Sequence, residues 1–145
     1  MKSTFKTIVL GSLFVFASSV FAQATDSPVG LWKTIDDETK QVKSLVRISE
    51  SGGTFVGKIE KLTTPGRENA VCAACEGDLK DKPVTGMTII NGMKKADDAY
   101  EGGTIFDPNN GKTYKSKMKL IEGGKKLEVR GYIGPFSRAQ IWVRE

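Results

Sequence analysis

Three groups of residues in this chain are of types that could do chemistry. Cys72 and Cys75 frame two alanines as Cys72-Ala73-Ala74-Cys75. Arg138, Gln140, Trp142 and Arg144 fall on alternate positions at the C-terminus. Tyr114, Ser116 and Met118 alternate with lysines in the most regular stretch of the sequence. Histidine is absent from all 145 residues. That excludes Ser-His-Asp and Cys-His mechanisms and removes the commonest metal ligand.

The cysteine pair admits several readings. A redox couple wants its first cysteine at a helix N-terminus in a thioredoxin-like setting, which the flanking sequence does not supply. Zinc needs more ligands than two thiolates. Haem attachment needs histidine where Glu76 stands. In an oxidising compartment the pair is expected to close a disulfide. So small a loop is worth about 2 kcal/mol in the chain-entropy account, enough to stiffen a loop but not to hold a fold. Asp107-Pro108-Asn109-Asn110-Gly111 lacks the oxygen spacing of a calcium loop and reads as a turn. Asp36-Asp37-Glu38 reads as a solvated loop. No metal and no cofactor is expected.

The arginines matter according to where they point. An inward Arg138 beside Gln140 could hold a ligand carboxylate through paired hydrogen bonds. Burying an unpaired guanidinium is costly, so this arrangement needs a partner. The opposite face, Ala139, Ile141 and Val143, is the competing candidate for the interior. Tyr114, Ser116, Met118, Val46, Ile48, Phe55 and Ile59 form the expected inward set. Ordinary core is the alternative for each of them, and Gly57 and Gly131 are expected to leave interior room. The candidate ligand-binding residues are therefore Arg138, Gln140, Tyr114, Ser116, Met118, Phe55 and Trp142.

Strands must position these side chains. Period-two alternation places strands over residues 29–34, 43–49, 54–61, 84–95, 99–106, 112–120, 126–133 and 138–144. Tight turns join most of them, including Gly52-Gly53 and Asn110-Gly111. Residues 62–83 form a connection too long for a simple turn, which suggests a lid or binding loop. Residues 68–75 could form one helical turn within it, and residues 25–28 read as an exposed lead-in. Sequential hairpins favour an all-β, eight-stranded antiparallel up-and-down barrel over a sandwich. In that order the loops after strands one, three, five and seven share one end, so the mouth is expected at the cysteine loop.

The N-terminus reads as a leader. Lys2 and Lys6 precede an apolar run of 14 residues, Ile8 to Phe21, shorter than the roughly 20 residues of a membrane span. Residues 1–24 are expected to be a signal peptide, cleaved after Ala22 or Ala24, with 25–145 as a single domain. Losing Lys2 and Lys6 lowers the formal charge of +5 by two, which gives no argument for nucleic acid. The mature chain has no second apolar stretch of spanning length. A periplasmic or secreted location follows from this reading.

The segments Gly30-Leu31-Trp32-Lys33-Thr34-Ile35-Asp36, Cys72 to Gly77, Gly103 to Tyr114 and Val129 to Gly134 resemble an exported bacterial family of unknown function. Gly30-Leu31-Trp32, the eight meander strands and the arginines of the last strand are similar to those of lipocalin-like (calycin) barrels. The resemblance implies a periplasmic home and a barrel fold, and no established activity. It also implies an arginine packed across Trp32. Arg138 and Arg144 compete for that role, and the antiparallel return of the last strand favours Arg144. Gly30, Trp32 and Arg144 are thus expected to close the structure rather than bind ligand.

The expected function is binding or carriage of a small apolar or amphipathic molecule, with a fatty acid or lipid as the natural class. The alternative is an envelope interaction module with a filled barrel. Catalysis ranks third, because no paired constellation stands out. No protein partner is identifiable from the residues.

Overall fold

The computed structural model describes residues 26–145. The leader and its cleavage sites lie outside the described residues. The chain forms β1 (Gly30–Ile35), β2 (Val42–Ser51), β3 (Thr54–Leu62), β4 (Thr88–Ala96), β5 (Ala99–Asp107), β6 (Lys112–Ile121), β7 (Lys126–Ile133) and β8 (Phe136–Arg144). Each strand pairs antiparallel with the next, and β8 returns to β1 to close the barrel.

Alternation sets the two faces. Ser44, Val46 and Ile48 of β2 are buried while Arg47 and Ser49 are exposed. In β6, Ser116 and Met118 are buried and Lys115, Lys117 and Lys119 point outward. Two of these lysines meet acids on the neighbouring wall, Lys117 with Glu101 and Lys119 with Asp98, each at 2.8 Å. Two lysines of this face are therefore neutralised by their own barrel. Exposed pairs of this kind contribute at most about 1 kcal/mol each.

The barrel is unevenly filled. Around its lower half, Ile48, Ile90, Met93, Met118 and Leu127 are essentially inaccessible to solvent. Each such side chain stabilises by about 1.5–3 kcal/mol on burial. Phe55 meets Tyr100 edge-on there, with ring centroids 5.0 Å apart. Gly57 does not leave room, because Ile90 fills the space: a Cβ at residue 57 would lie 3.1 Å from the Ile90 Cβ.

Other features also differ from the sequence expectation. β4 starts at Thr88, not Val84, so the connection between β3 and β4 is longer. Backbone bonds from Ile59 N–H to Met87 O (2.9 Å) and from Gly86 N–H to Ile59 O (2.7 Å) tie its last residues to β3 as a turn. The helical turn in this connection is a 3-10 turn at Gly77–Leu79, not at 68–75. The lead-in is no exposed tail, for Pro28 is fully buried beneath the barrel.

Closure between β1 and β8 is short. Their register covers only Trp32 opposite Arg144 and Lys33 opposite Val143. β7 and β8, by contrast, pair along their length from Lys126–Val143 to Ile133–Phe136. The register shift at Thr34/Ile35, opposite Ser44 and Val42, leaves Lys43 of β2 as an extra residue, and such a bulge bends the strand that carries it.

Candidate functional site

Both ends of the barrel are built around the last strand. At the floor, the Arg144 guanidinium lies 4.2 Å from the centroid of the Trp32 ring. Its Nε donates to Gly124 O (2.8 Å), one terminal nitrogen to Val29 O (2.9 Å) and the other to Ser27 O (2.8 Å). Burial pulls the Arg144 pKa below the ordinary guanidinium value, and the carbonyl oxygens offset that desolvation. The Trp32 indole N–H donates to Pro28 O at 2.8 Å. Tyr100 reaches Asp26 O at 3.1 Å, and burial raises its phenol pKa. The lead-in is thereby strapped across the floor. Gly30 sits at φ +143°, and a Cβ there would meet an Arg144 guanidinium nitrogen at 2.8 Å. Glycine at this position makes room for the arginine.

Toward the other end, a cavity of about 800 Å³ opens between the upper strands and the loops. Ile59, Leu62, Ile89, Ile105, Phe106 and Val129 supply apolar wall, and Trp142 lies at its base. Gly131 lines it too, where a larger side chain would intrude toward Ile105. Among the polar lining residues, Thr34 and Ser44 are buried and satisfy each other, with their hydroxyl oxygens 2.6 Å apart. The Trp142 indole N–H donates to Gln140 Oε1 at 3.3 Å. That leaves the carboxamide N–H₂ group free to donate. Tyr114 stands at the rim and its oxygen accepts from Asn110 Nδ2 at 2.8 Å, leaving the hydroxyl proton to donate elsewhere. Arg138 pairs with Asp37 in the loop after β1, its side chain still 72% exposed. Lys43 and Arg67 complete the cationic groups of the lining.

The connection at residues 63–87 forms one side of this mouth. Cys72 and Cys75 are disulfide-bonded and buried. The loop folds back on itself through a bridge between Val71 and Pro83. Cys72 N–H donates to Lys82 O (2.8 Å), Asp81 N–H to Cys72 O (3.0 Å) and Val84 N–H to Ala70 O (3.0 Å). It rests on the β5–β6 turn: a Cβ at Gly111 would lie 2.3 Å from Ala74 O. Ala70, Val71 and Val84 of the loop face Pro108 and Asn109 of that turn across the opening.

The sequence candidates divide into three groups. Arg138, Gln140, Trp142 and Tyr114 line the cavity. The inward face of β8 is theirs, and Ile141 on the other face is 39% exposed, which rejects Ala139, Ile141 and Val143 as the interior set. Ser116, Met118 and Phe55 point inward but lie outside the cavity wall. Ser116 is spent on Arg130 O at 2.8 Å, and Met118 and Phe55 belong to the packed lower half. Gly30, Trp32 and Arg144 form the floor closure. Sequence reasoning missed Arg67, which lies in a loop without periodicity. It also missed Ile105 and Phe106, since the bulge after Tyr100 shifts the register of β5 and alternation no longer fixes which residue faces in. No group of acids and cysteines that could hold a metal occurs among the described residues. No helix among them is long and apolar enough to cross a membrane.

The geometry can be set beside known proteins. Protein HP1028 from Helicobacter pylori, described as belonging to the lipocalin family, superposes with a TM-score of 0.72 at 20% identity, over 83% of this chain and 84% of that one. At that identity the likeness establishes a shared fold. No curated protein matches the chain. Residues 30–144, from the floor glycine to the arginine that it accommodates, match the family described as uncharacterised proteins conserved in bacteria (DUF2147), and the chain belongs to that family.

Proposed function

We propose that this protein binds a small apolar or amphipathic molecule in the bacterial periplasm. One observation carries the proposal: the upper half of the barrel holds a cavity of about 800 Å³. That is within the roughly 300–1,000 Å³ usual for small-molecule sites. Its wall is mainly apolar at depth, and its polar donors sit higher. The buried hydroxyls of Thr34 and Ser44 satisfy each other and demand nothing from a ligand. Gln140 and Tyr114 keep donors to spare, and Arg138, Lys43 and Arg67 supply cationic groups to a lining that also holds Asp36 and Asp107. Such a site suits a molecule with an apolar body and an acidic or hydrogen-bond-accepting head, as a fatty acid has. The apolar body would be buried against Ile59, Ile105, Val129 and Trp142, and the head held at the rim.

Export to an oxidising compartment is supported by the leader-like start of the sequence and by the Cys72–Cys75 disulfide. The reading is one of binding and carriage, not turnover. Native mass spectrometry of protein isolated from its own host's envelope tests it. An adduct of a few hundred daltons that is lost on denaturation is expected. Absence of any adduct, together with no saturable uptake of fatty acids of 10 to 18 carbons (a chain-length range chosen by cavity size), would remove the proposal.

A further inference from the structure

The barrel wall is incomplete on the side of the mouth. Above Lys33–Val143, β1 and β8 have no paired residues. Glu145 N–H donates to Leu31 O at 2.9 Å and Arg144 N–H to Lys125 O at 2.9 Å. Main-chain groups alternate between the two neighbours along an antiparallel strand. The N–H and C=O groups of Ser137, Ala139 and Ile141 are therefore directed at the β1 side, where no strand meets them. β1 has meanwhile ended at Ile35 and passed into the loop that carries Asp36 and Asp37. β8 and this loop therefore flank a cleft that no strand pairing closes. It borders the cavity, whose lining includes Thr34 and Asp36 from one side and Arg138 and Gln140 from the other. Phe136, 74% exposed, also belongs to the cavity lining.

A single side-chain link crosses this cleft among the described residues, the ion pair of Arg138 with Asp37. No backbone hydrogen bond reinforces it there. The cysteine loop at the opposite wall is held by its bridge, its disulfide and its seat on Gly111. We infer that ligand reaches the cavity sideways, through the cleft between β1 and β8, and that the Asp37–Arg138 pair is the latch across it. The inference rests on the cavity being a binding site. It adds the route and the residue, Asp37, that governs passage without belonging to the cavity wall. An exposed pair is a weak barrier, of a size that ordinary thermal motion opens. That suits a carrier that must both load and unload.

Stopped-flow fluorescence with Nile red, an uncharged apolar probe, tests this on the full mature chain. Wild type is compared with Asp37→Asn, and with Glu60→Gln, which breaks the exposed Arg47–Glu60 pair on the outer wall. Asp37→Asn is expected to raise association and dissociation rates together, by roughly two- to fivefold, as loss of one exposed ion pair allows. Kd stays within about twofold and Glu60→Gln moves neither rate. If the probe binds and Asp37→Asn behaves like Glu60→Gln, the side route is wrong and the cavity stands. A change confined to dissociation would make the pair part of the binding site and overturn its role as latch. If the wild type binds no probe, the cavity reading fails and the route with it.

Discussion

Arg138 and Arg144 stand on the same face of the same strand, six positions apart, and live in opposite environments. Arg144 gives its donors to the carbonyls of Ser27, Val29 and Gly124 and stacks on Trp32. Arg138 has one carboxylate partner and is mostly in water. The first joins the lead-in, β1, β8 and the turn before β7 into one closed floor. The second leans across a gap that main chain leaves open. Charge buried against backbone acceptors fixes a structure, whereas charge at a solvated rim remains available for exchange. The barrel thus divides into a half that defines the fold and a half that can change partners.

This contrast should break most visibly at the floor. Arg144→Ala removes three charge-assisted bonds, two of them part-buried, and the stack on Trp32, so a loss of about 2–4 kcal/mol is expected in urea unfolding. Gly30→Ala adds a Cβ against Arg144 at a φ that L-residues rarely adopt, at about 1–3 kcal/mol. The two changes should be less than additive, since removing Arg144 also removes the clash. Gly111→Ala should cost a similar 1–3 kcal/mol and act locally. Hydrogen exchange at the Cys72 and Asp81 amides should speed up as the loop lifts from the β5–β6 turn. Arg138→Ala should barely move stability, by under about 1 kcal/mol, while weakening fatty-acid binding about tenfold through loss of a charged hydrogen bond. Equal effects of the two arginines on unfolding would dissolve the distinction between the halves.

The smallest effect is expected from pH. Hydrogen bonds to backbone and partners hold Asp36, Glu60 and Asp98 below the usual carboxylate range. Their stabilisation is present above the unfolded-state pKa and is lost as pH falls through the lower folded value. Tyr100 is shifted up by burial, so its contribution is present below the unfolded pKa and is lost as pH rises through the folded one. With no histidine in the sequence, the urea midpoint should be flat from roughly pH 5 to 9 and fall outside that window.

Much of the floor was legible in the residues themselves. Alternation gave β6 and β7 nearly to the residue, and chain order alone brought Arg144 rather than Arg138 to Trp32. Less of the mouth was legible. Arg67 and Asp37 lie in loops, where no period links sequence position to direction. Ser116 and Met118 alternate correctly, yet depth along a strand, not its face, decides whether an inward side chain meets a cavity or packed neighbours. Gly57 misled for a related reason. A missing side chain makes space only where no neighbour fills it, and Ile90 does. Pro28 resisted reading because the residues on either side of it, Ser27 and Val29, are held by an arginine more than a hundred residues away.

The free main-chain groups of Ser137, Ala139 and Ile141 have a consequence for how this protein behaves in a crowd. An uncovered strand edge is a template on which another extended chain can lay itself, and sheets commonly guard such edges with an inward-pointing charge. Arg138 is the charge that this edge carries. Replacing it with an uncharged residue would strip the guard from the sheet, and light scattering that grows with protein concentration would register the change while the fold stays intact.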